Sequence, residues 1–88
     1  MFYLITFENT HTAIQTKKLL TGRMPIRTIP TLREISASCG ISIRVEDGYL
    51  DALQNFLKTS DLNPKMYELY RIQTDPISDR VTGYESLS

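Results

Sequence analysis

At 88 residues the chain is sized for one domain, and a chain this short buries only ~60–65% of the surface its unfolded form exposes. Hydrophobic residues make up 41% and charged residues 23%, a globular composition. Ten basic residues balance ten acidic ones, so no net field favours nucleic acid or an anionic membrane, and neither is expected as a partner.

No apolar run approaches the ~18–20 residues needed to cross a bilayer. The N-terminal segment lacks the basic region and small-residue cleavage site of a signal peptide. One cysteine, Cys39, cannot form an internal disulfide and cannot build an all-cysteine metal site. An unpaired thiol fits a reducing cytoplasm, and no cofactor or metal is expected.

Phe2–Phe7 is aromatic and branched, which predicts a strand. Tyr3, Ile5 and Phe7 fall on one face and Phe2 and Leu4 on the other, so both faces need cover. Asn9 or Thr10 can cap a helix running to Leu20 or Thr21, with Ala13, Thr16 and Leu20 inward. Gly22 suits the position after its C-cap, and Pro25 stops continuation. Residues 24–29 read as a second strand, ended by Pro30. Residues 41–45 alternate, with Ile41, Ile43 and Val45 on the core face. Asp47 can cap a helix over 48–59, where Tyr49, Ala52, Leu53, Phe56 and Leu57 follow helical spacing. Residues 60–64 form a turn and 66–72 a fourth strand. Residues 73–88 are polar and lack periodicity, which predicts a C-terminal tail.

The order βαββαβ predicts an α+β, ferredoxin-like domain over residues 1–72, an antiparallel four-stranded sheet with two helices on one face. The topology gathers three segments at one edge: residues 8–11, the loop 30–40 and the turn 60–64. His11 and Cys39 then share an edge. Arg44 lies five residues beyond Cys39, roughly 16 Å away at ~3.3 Å per residue.

Cys39 has two readings. Its parity matches Ile41 and Ile43, which suits a small buried hydrophobe. Alternatively it is a reactive thiolate, which needs a cation or amide donors to stabilise its charge. Arg33 is the nearby cation; Ser36, Ser38 and the Gly40 amide are candidate donors, and Gly40 allows close approach of a second molecule. His11 is a surface residue or a proton shuttle beside Cys39. Arg33-Glu34 is a solvated pair or an anion site, and Arg23, Arg27 and Arg44 read as surface charges. Other uses of this topology lack their residues. There is no Cys-x-x-Cys in the first loop, no stacking aromatic in 41–45, and no glycine before Gly22 to cradle phosphate.

The aromatic first strand leading into Thr10-His11, Lys18-Leu19-Leu20, and Arg33 through Gly40 followed by residues 41–44 carry a resemblance. Over residues 2–72 the chain resembles the selenium/sulfur carrier protein-like family of small bacterial domains. The resemblance implies that Cys39 carries sulfur or selenium as a persulfide or selenosulfide, with Arg33 and Ser38 as its environment; the loop and the topology add Ser36, Gly40 and His11. It implies a sulfur or selenium donor protein as partner, and a carrier or binding module more than an enzyme. Where relatives place proline before Arg-Glu, this chain has Leu32, with Pro30 two residues earlier. The alternative is a non-catalytic interaction module, which dimerises through a helix-free apolar sheet face.

Overall fold

The computed structural model describes residues 1–35 and 39–87. Among them, strand β1 (Phe2–Phe7) leads through Asn9 into helix α1 (Thr10–Leu20). The Asn9 side chain accepts the Thr12 amide at 2.8 Å, satisfying one of the orphan donors of the first turn. Thr12, Ala13, Thr16 and Leu20 are the buried stripe of α1. Gly22 lies past the C-cap at φ 88°, the left-handed conformation that glycine adopts without strain.

Strands β2 (Ile26–Pro30) and β3 (Ile41–Glu46) follow, then helix α2 (Leu50–Thr59), a short 3-10 turn (Pro64–Met66), and strands β4 (Tyr67–Thr74) and β5 (Val81–Ser86). The sheet order is β2-β3-β1-β4-β5, and every pairing is antiparallel. The expected sheet has four strands; the observed one has five, because Val81–Ser86 returns along β4. This strand escapes a periodicity argument because only Val81 and Gly83 within it are half-buried and the rest is exposed. Its hairpin turn is well specified. The Asp75 carboxylate accepts the amides of Ile77 and Ser78 at 2.8 and 3.1 Å, and these bonds hold its pKa below the ordinary carboxylate value.

Helix α2 starts later than expected. Tyr49, not Asp47, occupies the N-cap and makes no side-chain capping bond. Its inward face is Leu53 and Phe56, with Leu57 half-buried and Ala52 exposed.

Two apolar clusters sandwich the sheet. On one side Tyr3, Ile5, Phe7, Ile43, Val45 and Leu69 meet Ala13 and Leu20 of α1 and Leu53 and Phe56 of α2, so both helices cover the same face. On the other side Phe2, Leu4 and Ile72 meet Ile35, with Ile29, Leu32, Tyr70 and Val81 at the margin. That helix-free face is covered by the chain itself. Leu32 and Ile35 come from the segment after β2, and the Arg44 guanidinium lies 3.9 Å from the Phe2 ring centroid while paired with Glu46 at 3.1 Å. The apolar surface that motivated a dimer through this face is therefore closed at β1, where Phe2 and Leu4 are 4% and 0% exposed. Arg44 is thus a packing residue of the sheet, half-buried, and not the plain surface charge its sequence context suggests.

Ile35 and Ile77 provide a test of this cover. Ile35→Ser should cost ~2–4 kcal/mol in urea denaturation by exposing the Leu4 side of the sheet, whereas Ile77→Ser, at a residue 96% exposed, should stay within about 0.5 kcal/mol. Equal effects would mean that Ile35 does not hold the face.

Tyr70 provides a second. Burial first, then its 2.7 Å hydrogen bond to the Glu68 carboxylate, pushes its pKa up to about 12 from 10.0. The folded state therefore holds this proton more tightly than the unfolded state. Its contribution is fully present below pH ~10 and is lost as pH rises from there through about 12. Denaturation midpoints of Tyr70→Phe should fall less steeply than those of the native chain across that window.

Candidate functional site

Three segments meet at the end of β1 where α1 begins. The Cys39 amide donates to the Phe7 carbonyl at 3.2 Å, and the Glu8 amide donates to the Met66 carbonyl at 2.9 Å. The Asn9 side-chain amide also reaches the Met66 sulfur at 3.8 Å. These bonds place Cys39 at the junction of β1 and α1, with the start of β4 on its other side.

Cys39 is 3% exposed and belongs to the helix-side core with Phe7, Ala13 and Ile43. That is the position of a small core hydrophobe. Its sulfur nevertheless has polar neighbours. The Ile41 amide donates to Sγ at 3.5 Å, and the Thr10 hydroxyl lies 3.7 Å from it. Thr10 is the first residue of α1, so the positive end of that helix adjoins the sulfur. A neutral thiol makes weak use of such donors; a thiolate or a persulfide anion accepts them strongly.

The backbone on either side of Cys39 is fastened by Thr31. Its amide donates to the Gly40 carbonyl at 3.0 Å, and its hydroxyl donates to the Cys39 carbonyl at 3.0 Å. The same hydroxyl lies 2.7 Å from the Ser42 hydroxyl, which is 0% exposed. Since Thr31 uses its one proton on Cys39, Ser42 is the donor in the second bond. Earlier in the same segment the Ile35 amide closes a turn onto the Leu32 carbonyl at 3.0 Å. Ile35 anchors on the helix-free face and Cys39 on the helix-side face. Leu32 takes part in the Ile35 cluster.

The remaining expected residues stand at different distances from the sulfur. His11 is exposed and lines a shallow depression with Ile14, Gln15 and Lys18, the solvent stripe of α1 opposite its buried one. It shares the sheet end with Cys39 through its neighbour Thr10, but no hydrogen bond joins His11 to Cys39 among the described residues. Arg33 is exposed in the Leu32–Ile35 turn and likewise has no bond to Cys39 among them. Gly40 is exposed, and open space surrounds its α-carbon: a Cβ there would meet nothing within 4 Å. Ser36 and Ser38 lie outside the described residues. Thr10, Thr31 and the Ile41 amide are the groups sequence reasoning missed. In the sequence Thr10 reads as a helix cap and as part of the Thr10-His11 segment of the resemblance, not as a neighbour of the sulfur, and the amide two residues past a cysteine carries no sequence signal.

The match that decides the family covers the same region. The family described as "Putative Se/S carrier protein-like" matches residues 2–68. The chain belongs to that family. The matched region of this Se/S carrier protein-like chain contains Cys39, Thr10 and Thr31, and ends at the second residue of β4. No curated protein and no solved structure matches the chain. No helix among the described residues is long and apolar enough to cross a membrane.

The Thr31 fastening makes a prediction. Thr31→Val leaves the Ser42 hydroxyl and the Cys39 carbonyl short of a partner and should cost ~1–3 kcal/mol of stability. Native-state labelling of Cys39 by a thiol reagent should accelerate in parallel, and Thr31→Ser, which keeps the hydroxyl, should restore slow labelling. Unchanged labelling in Thr31→Val would show that this bond does not control access to the sulfur.

Proposed function

We propose that this protein is a sulfur or selenium carrier whose attachment point is Cys39. Family membership supports the class of function. The single observation that carries the residue assignment is the convergence of the Ile41 amide and the Thr10 hydroxyl on the Cys39 sulfur at the N-terminus of α1. These donors suit a sulfur that bears negative charge, as a persulfide does at neutral pH.

The transfer step balances without an external oxidant. The Cys39 thiolate attacks the outer sulfur of a persulfide on a donor protein. A new S–S bond forms at Cys39, the donor's S–S bond breaks, and the donor leaves as its thiolate. An acceptor thiol reverses the sequence. At 3% exposure the sulfur is shielded in the closed conformation, so loading and unloading require it to be uncovered. The same burial protects a loaded persulfide from bulk thiols between the two events. An unpaired thiol with this duty belongs in a reducing cytoplasm. Arg33 and His11, exposed near the loop and the sheet end, are positioned to meet an anionic donor surface. Ser36 and Ser38 remain part of the proposed environment, and Gly40, open to solvent, leaves room for the donor backbone.

The order β2-β3-β1-β4 with both helices on one face supports a ferredoxin-like core. On this reading residues 1–72 form the carrier domain, and 73–88 an appendage that adds β5.

Intact mass spectrometry after incubation with a persulfide-loaded cysteine desulfurase, without reductant, tests the proposal. The protein should gain one sulfur atom, removable by reductant, and Cys39→Ala should gain none. A native chain that stays unmodified while the desulfurase discharges to a free thiol would overturn it.

A further inference from the structure

A cavity of about 360 Å³ lies between α2 and the β4–β5 hairpin, away from Cys39 and unused by the carrier reading. Its volume falls at the small end of the ~300–1,000 Å³ typical of ligand sites. Leu57, Leu69, Leu87 and the Tyr67 ring supply apolar walls, and Leu69, 4% exposed, makes the floor continuous with the helix-side core. Leu87 is held against this floor by its amide, which donates to the Leu69 carbonyl at 2.8 Å.

The polar groups of the lining are all able to donate. They are the Lys58 ammonium, the Gln54 amide and the Tyr67 hydroxyl, and no carboxylate lines the cavity among the described residues. None of the three side chains has a hydrogen-bond or ion-pair partner among the described residues. One cation and two neutral donors beside apolar walls complement a molecule with one anionic end and an apolar body. The last turn of a helix repels anions, and Lys58 sits in the last turn of α2. The anionic end therefore depends on the Lys58 side chain itself and not on the α2 backbone.

We infer that this cavity binds a small amphipathic carboxylate, its body against Leu57, Leu69 and Leu87 and its carboxylate at Lys58. The site is independent of Cys39, so its failure would leave the carrier proposal standing, and the reverse holds.

Titration of the isotope-labelled full chain with octanoate and, separately, with 1-octanol, followed by amide NMR, tests it. Octanoate should give saturable shifts centred on residues 54–58, 67–69 and 87, and should bind more tightly than octanol. Lys58→Gln, an exposed substitution that the fold tolerates, should weaken octanoate about two- to fivefold and leave octanol unchanged. Leu87→Asp, which puts a carboxylate into the apolar lining, should abolish octanoate binding. Absence of saturable shifts in the native chain would overturn the inference. So would octanoate shifts centred elsewhere, or octanoate affinity equal in the native chain and Lys58→Gln.

Discussion

Everything in this fold follows from a central strand with no solvent face. All six residues of β1 are buried, with β3 on one side and β4 on the other. A strand buried on both faces needs two covers. The helices supply one. With both helices on one side of the sheet, the other cover has to come from somewhere else. Here it comes from the loop between β2 and β3, through Leu32 and Ile35, and from Arg44 stacked on Phe2. The small size of the chain sharpens the demand, because 88 residues have little core to spare.

That second cover binds the candidate site to the stability of the sheet. The segment that contributes Ile35 to the helix-free face also leads to Cys39 on the helix-side face. Thr31 fastens its start to its end by bonding Gly40 and Cys39 at once, and Phe7 fastens Cys39 to the tip of β1. The loop is therefore a packing element that happens to carry a thiol, and its two roles share the same hydrogen bonds.

The parts of this arrangement written in local pattern were legible in the sequence. The doubly apolar Phe2–Phe7, the inward stripe Ala13, Thr16 and Leu20, the Asn9 cap and the glycine after α1 each have a short-range signature, and each is present. The meeting of the α1 start with Cys39 was legible one level up, from strand order. What stayed hidden lacks any local signature. The β5 strand is a polar edge whose pairing comes from the Asp75 turn and not from hydrophobic alternation. Arg44 looks solvated until Phe2 is seen beneath it. Ile35 sits in an aperiodic loop, so nothing in its spacing announces that it faces Leu4. Thr31 looks like any other threonine or serine between elements, and only the register of β2 on β3 brings it to Ser42.

Burial of Cys39 and a carrier role are compatible only if the loop opens to give access. Among the described residues the contacts that hold it include the Phe7 bond, the Thr31 bonds, and Ile35 in its apolar cluster. Removing a side chain such as Ile35 from an apolar site costs ~1.5–3 kcal/mol, and each hydrogen bond adds ~0.5–1.5 kcal/mol. For the two Thr31 bonds, the Phe7 bond and Ile35 together this comes to ~3–7.5 kcal/mol, which reaches into the ~5–15 kcal/mol that opens a whole domain, so these contacts tie exposure of Cys39 closely to the stability of the sheet. On the carrier reading, a donor that binds an open form selects it, and the reactivity of the free protein is reduced to the fraction open. On the carrier reading, a closed loop prevents discharge to the wrong thiol, and the donor supplies the binding energy that exposes the right one.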